Sequence, residues 1–338
     1  MRRVFKNYYL IRLLKAFLTI FIVTTLTFFL IRLMPGNPLD IYISQQVAQG
    51  TPYQDAVQMA NSIFQVDLNQ PVYVQYLAYM KNLLHGDFGV SIISAATPVI
   101  DIVMRFLPWT LFVVTISLFV SFLLGVLFGT LMAYKRNSWV DHVLSSFASI
   151  ITAVPNYVTA MLIVVIFGVT LNWFDTGSIR GSMSPGVQPE FSLDFLLDAL
   201  YHASLPIITY ILTTIGTWML MMKSNTVSTL GEDYVNVARA RGLSDARITT
   251  AYVGRNAVLP LFTTLAISIG FVVGGSTLIE SIFQYAGIGL KLSAALTSRD
   301  YPVIQAIFII ICASVVLANV LADLLYSLLD PRIRAEGR

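Results

Sequence analysis

The chain has 338 residues, of which 56% are hydrophobic and only 12% charged, with a mean hydropathy of +0.74. A soluble globular domain carries about 25% charged residues, so this composition excludes an ordinary soluble fold and points to the membrane. A net charge of +3 is too small to suggest nucleic acid, and a single cysteine excludes an internal disulfide. Cys312 lies in an apolar run and reads as an inert thiol; His85, His142 and His202 are scattered, so no metal site is expected.

From the N-terminus, Arg2, Arg3, Lys6, Arg12 and Lys15 precede an apolar run over 16–31. Arg-Leu-Met-Pro follows it instead of a small-x-small cleavage site, so the run reads as an uncleaved first span. A spanning helix needs about 20 mostly apolar residues. Six runs qualify: 16–31, 106–134, 143–174, 199–222, 256–279 and 301–322. The second and third are longer than a bilayer requires and must tilt, kink or project into water, with Pro108 and Pro155 as kink or start points. Placing the N-terminus in the cytoplasm puts fifteen of the twenty-one basic residues inside, among them Lys135, Arg136, Lys223, Arg239, Arg241, Arg247, Arg255, Arg332, Arg334 and Arg338. The positive-inside rule therefore gives N-in, C-in.

The region 34–105 is long and polar, and it is read as an extracytoplasmic helical cap. Ala56, Ala60, Ile63 and Phe64 share one helical face, and Val72, Tyr76, Met80 and Leu83 share another. The sequence Asp67-Leu-Asn-Gln-Pro71 separates the two helices, and 97–104 reads as an interfacial helix leading into the second span. Two further external loops cover 172–198 and 280–300, and Trp173 falls where an aromatic belt would lie. The expected architecture is an all-α polytopic membrane protein. It has an N-terminus and first span (1–33), the cap (34–105), a five-span core (106–330) containing a cytoplasmic loop (223–256), and a cytoplasmic tail (331–338).

The chain carries no engine. It has no G-x-x-x-x-G-K-[ST] phosphate loop, since Gly287-Ile-Gly-Leu-Lys291 lacks that spacing. It has no H-E-x-x-H, no nucleophile elbow and no paired intramembrane aspartates; Asp323, near the inner end of the last span, reads as a helix-end residue. A catalytic role and bound cofactors are therefore not expected. The rival classes are an autonomous channel or secondary transporter and, behind it, a membrane-embedded enzyme.

The most polar and basic run between two apolar segments is 231–260, GEDYVNVARARGLSDARITTAYVGRNAVLP. Glu232 and Asp233 suit the positive end of a short helix, Arg239 and Arg241 its negative end, and Gly242 its C-terminal stop. Ser244 can cap a second helix with Asp245 in its first turn. On these residues alone, docking to a partner and resting on lipid headgroups stay equally open.

This loop resembles the cytoplasmic docking loop of ABC importer permeases, in the form DYVNVARARGLS with a late RNAVLP that is usual in the peptide/nickel branch. Ala238 and Gly242 match the general family pattern, while Asn236 and Val237 stand where that pattern has Glu-Ala. RLMPGNP (32–38), VDLNQPVYVQYLAYMKNLLHGDFGVS (66–91) and GGSTLIESIFQYAGIGLKLSAALTSRDYPVIQA (274–306) are similar to the same branch, with Ala286 where the family usually has proline. The resemblance covers nearly the whole chain and is closest to the first of two paired permeases.

What the resemblance implies is a cytoplasmic-membrane subunit of a bacterial or archaeal importer. It pairs with a second homologous permease, two cytoplasmic ATPases that hold the ATP and magnesium, and an extracytoplasmic substrate-binding protein. Asn236, Val237, Ala238, Arg239, Ala240, Arg241, Gly242 and Leu243 would form the ATPase-docking coupling helix. Thr152, Asn156, Thr213, Thr217, Ser268, Gly270, Gly274 and Ser276 are pathway candidates, with tight helix packing as their alternative role. Glu280, Arg299 and Asp300 are candidates for an external gate or a binding-protein contact, or for a simple capped turn. Oligopeptides or dipeptides are the expected cargo, with oligosaccharides or nickel and other metal chelates as alternatives.

Overall fold

In hydrocarbon a backbone must satisfy its own hydrogen bonds, so long apolar runs have little choice but helix. The computed structural model describes residues 2–33, 38–63, 70–94, 97–175, 177–190, 192–274 and 277–329. Phe64, Asp67, Ser276, the tail 331–338 and the side chains of Ile63 and Asp323 lie outside what it describes. Apart from one isolated bridge between Val90 and Pro98, the regular structure of the described residues is helical.

The elements run α1 (Arg2–Arg32), α2 (Pro38–Ala48), α3 (Tyr53–Ile63), α4 (Val72–Leu84), α5 (Val99–Tyr134), α6 (Trp139–Ala153) and α7 (Asn156–Ile163). They continue with α8 (Leu193–Leu230), α9 (Asp233–Ala240), α10 (Asp245–Arg247), α11 (Arg255–Phe271), α12 (Thr277–Phe283), α13 (Ile288–Ser298) and α14 (Tyr301–Leu329). Five helical stretches are long and apolar enough to cross a membrane: Ile11–Arg32, Val99–Tyr134, Leu193–Leu230, Asp245–Phe271 and Tyr301–Val320. A sixth crossing exists only if Trp139–Ala153 and Asn156–Thr170 count as one, and they are bent by 101°.

Three expectations about these boundaries are corrected. The run 143–174 is not one helix: Pro155 has no N–H to give and drives Val154 to φ −81°, ψ 125°, which ends α6. Residues 97–104 form no separate interfacial helix; Val99 opens α5, which continues unbroken through Pro108 to Tyr134. The fifth apolar stretch is helical from Asp245 to Phe271 instead of over 256–279, and 277–283 belong to the separate α12. Arg247 and Arg255 interrupt hydropathy but not helical hydrogen bonding, which runs through a π-helical segment, Ile248–Gly254, into α11. With 36 and 38 residues, α5 and α8 are about 54 and 57 Å long, well beyond a hydrocarbon core of about 30 Å.

The chain divides into two compact units, Met1–Trp109 with Gly287–Leu317, and Thr110–Ala286 with Ala318–Arg338. In the first, Tyr42, Ile43, Ala56, Ala60, Val99, Val103, Ile288, Leu292, Val303 and Ile304 bury together. The expected inner face of α4 is shifted: Val72 is exposed, and Gln75 is the buried residue, accepting from Arg32 Nε and Nη2 at 3.2 and 3.1 Å. In the second, α8 is the hub on which α6, α7, α11 and α12 pack. Backbones approach closely there at glycines. A Cβ on Gly125 would lie 2.2 Å from Trp218 Cβ, one on Gly129 2.5 Å from the Met219 carbonyl, and one on Gly216 2.5 Å from the Ala148 carbonyl. Gly125 and Gly129 are a G-x-x-x-G pair, the spacing that lets membrane helices touch.

Candidate functional site: the 231–260 loop

The loop is built around a small dry core. Val235 and Ala238, three residues apart on α9, bury against Ile248 and Val253 of the π-helical segment, with Leu230, Leu243 and Tyr252 around them. Three of these four are large enough to contribute about 1.5–3 kcal/mol each by leaving water. The amide side chain of Asn256 donates to Tyr234 Oη at 3.0 Å and Asn225 donates to the Ala257 carbonyl at 3.3 Å, fastening the loop to both flanking helices.

The helix stop is a Schellman motif. Gly242 sits at φ +74°; its N–H donates to the Arg239 carbonyl at 2.9 Å, and that of Leu243 donates to the Ala238 carbonyl at 3.3 Å. Leu243 then folds over Ala238, the hydrophobic contact that accompanies this motif. Ala238, one of the expected docking residues, is 2% exposed and spends its small side chain inside the loop. The surface left outward is Asn236, Val237, Arg239, Ala240 and Arg241, with Gly242 beside them. Among the described residues, and apart from its chain neighbours, nothing lies within 4 Å of a Cβ placed on Gly242. Ser244 precedes the second helix without a side-chain capping bond.

The pathway candidates other than Ser276 fall on α6, α7, α8, α11 and the following 3-10 turn, all within the second unit. The hydroxyls of Thr152, Thr213 and Ser268 each donate to a carbonyl one turn earlier in their own helix. Thr152 also lies against Gly216, and Gly270 is buried, so these two sit at helix contacts; Thr217 is exposed, and Asn156 and Gly274 are half-buried.

Two of the three outer candidates are buried within their own units. Glu280 is fully buried and accepts from Thr110 Oγ1 at 2.7 Å. Burial, and after it the Glu280 charge, push the Tyr285 phenol well above its ordinary value. Asp300 is 1% exposed and accepts from Ser91 Oγ and from the Ile92 N–H, the latter at 3.1 Å. Arg299 is half-buried in the left-handed region, φ 58°, so the capped-turn reading is the one its geometry fits. Among the described residues, no three His, Cys, Asp or Glu side chains are grouped to hold a metal.

Comparison with known proteins decides what carries this loop. Residues 125–335 match the family described as "Binding-protein-dependent transport system inner membrane component", and residues 5–118 match its N-terminal companion. The chain belongs to this family of ABC-importer permeases. The permease is 32% identical over 311 residues to the oligopeptide transport system permease protein AppB of Bacillus subtilis, covering 92% of this chain and 94% of that one. It is 35% identical over 328 residues to a putative peptide permease protein of Brucella suis, covering 97% and 99%. It is 33% identical over 328 residues, with the same coverage, to the glutathione transport system permease protein GsiC of Salmonella choleraesuis. The permease is thus a non-catalytic, multi-pass inner-membrane transport component, and the autonomous-transporter and enzyme classes fall away.

Two features of the permease escaped the sequence reading. The Gly125/Gly129 pair carried its own signal, the G-x-x-x-G spacing within an apolar run. The second is an ion pair. Asp141, 4% exposed, meets Lys223 Nζ at 2.5 Å, while Ser145 Oγ and the Asn137 N–H also donate to it. It ties the start of α6 to α8, beside an open pocket of ≈ 480 Å³ lined by Arg136, His142, Ser224 and Val227. No local pattern joins residues 82 positions apart (223 − 141).

Proposed function

We propose that this permease is the first-permease subunit of an ATP-driven, binding-protein-dependent peptide importer, with 236–243 as its ATPase-docking element. The observation that carries the proposal is the loop itself. A family member without a phosphate loop presents Arg239, Arg241 and the open flank of Gly242 on a short helix clamped to a membrane helix. The basic residues support N-in, C-in with the α6–α7 pair as one of six crossings, which puts the loop in the cytoplasm and 34–105 outside as a cap. The domain limits are those of the sequence reading: 1–33, 34–105, 106–330 with the loop 223–256, and 331–338.

Substrate passes between this permease and a homologous second one, along a wall to which Thr152, Asn156, Thr213, Thr217, Ser268, Gly270, Gly274 and Ser276 are the candidates. A substrate-binding protein delivers it from outside. Two ATPases bind the ATP and magnesium, and their closure moves the docking element together with the helix that follows it. The permease-type relatives named for oligopeptides, peptides and glutathione, itself a tripeptide, support peptide cargo.

The test is Gly242→Trp in the reconstituted complex. The side chain would leave α9 from a Cβ position with open space around it and strain only the local turn, so the subunits should still co-purify while substrate-stimulated ATP hydrolysis is lost. Retained stimulation in an assembled complex would sink the docking assignment.

A further inference from the structure

Helix α4 has more apolar surface than its own unit covers. Gln75, Tyr76 and Tyr79 turn toward α1: Tyr76 Oη and Thr25 Oγ1 are 2.8 Å apart, and the Phe28 ring lies 5.2 and 5.3 Å from those of Tyr76 and Tyr79. Next to that face, Tyr73, Leu77 and Leu84 form a second stripe at helical spacing, 67, 63 and 78% exposed. Asn82 lies across the helix from this stripe and Lys81, one turn after Leu77, borders it; both are exposed. The helix therefore has a wide apolar sector and a narrow polar one, the distribution of a helix lying in a membrane interface.

The depth of its contacts says what meets the second stripe. Thr25 lies seven residues before Arg32 (32 − 25), which is about 10 Å of helix below the end of the span Ile11–Arg32. A helix whose tyrosine reaches Thr25 is thus beside the membrane span, and not above it. The neighbouring α1 surface is bare: Leu26, Leu30 and Leu33 are exposed, and only 17% of that span's most apolar window is buried. Phe29, exposed itself, stacks on Tyr76 at 5.6 Å and makes the two surfaces continuous. Tyrosines favour this depth because the ring enters the acyl boundary while the hydroxyl reaches water or a partner.

We infer that α4 is a membrane-interface helix, with Tyr73, Leu77 and Leu84 resting in the lipid at the C-terminal end of α1, Asn82 facing water, and Lys81 reaching from the stripe's edge to the headgroups. The placement rests on the family's membrane setting; under the orientation proposed above, the leaflet is the outer one. The occupant is bilayer lipid because the stripe continues the lipid-facing surface of α1.

A single native cysteine makes the test direct. With Cys312→Ala as background, Leu77→Cys, Leu84→Cys and Asn82→Cys each receive a nitroxide in the assembled complex, in lipid nanodiscs with no other labelled thiol. Collision with oxygen, which partitions into lipid, is compared with collision with a water-soluble nickel chelate. Oxygen should exceed nickel severalfold at positions 77 and 84, with the order reversed at 82. Nickel dominating at 77 and 84 would put α4 in water, and exclusion of both agents would put a protein on the stripe; either result overturns the inference. Leu77 and Leu84 are both more than half exposed, so labelling either leaves the fold intact and one can stand in for the other. Immersion is read without reference to side, so a reversed orientation would leave this result standing.

Discussion

Two helix ends, at Gly242 and Arg299, use the same backbone device with opposite surroundings. After α9 and after α13, one residue enters the left-handed region, and the N–H that follows reaches back five residues, from Leu243 to Ala238 and from Asp300 to Ala295. At the first end that residue is glycine, its flank is open, and the next side chain is an apolar one folded inward. At the second it is arginine, and the next side chain is a carboxylate buried on Ser91 and Ile92. A left-handed non-glycine costs about 1–2 kcal/mol, a cost that hydrogen bonds to a buried carboxylate offset. Glycine at the first end removes that cost and leaves bare backbone on a surface. The lesson is that an identical turn is an exposed edge in one place and a sealed joint in the other.

The comparison can be broken most forcefully at the two supports. Ile248→Ala empties the core under α9 and should destabilise the loop by about 2–5 kcal/mol, seen as early proteolysis between 231 and 256. If the loop keeps its protection, the dry core is not what holds α9. Asp300→Ala strands the Ser91 hydroxyl and the Ile92 N–H and should cost about 2–3 kcal/mol, read as a lower unfolding temperature of the purified complex. The turn residues themselves give the finest distinction. Gly242→Ala should lower stability by about 1 kcal/mol through its φ alone, while Arg299→Gly should raise it by about 0.5–1 kcal/mol. Shifts of the same sign would mean that the two turns are held by something other than their backbone angle.

Much of this was legible in the sequence, and the pattern of misses is physical. Local codes read well: the acidic start of α9 and its glycine stop both came from residue types within one turn. Pro155 was legible as an interruption, but its 101° bend depends on what packs around it. Charge was a poor guide to helix boundaries, since Arg247 and Arg255 sit within the helical stretch that hydropathy placed later. Burial of acids was illegible in principle. Glu280 is inside because of Thr110, 170 positions away, and Asp300 because of Ser91, 209 away, so both looked like surface contacts from their neighbours alone.

The continuity of Asp245–Phe271 carries a mechanical consequence. Its 27 residues make a rod about 40 Å long, with α9 bolted to its base by Val235 and Ala238. A tilt of about 10° at the base sweeps the far end through about 7 Å, the width of a large side chain. A push too small to reshape the loop would thereby be geared up into a displacement wide enough to pry packed helices from one another.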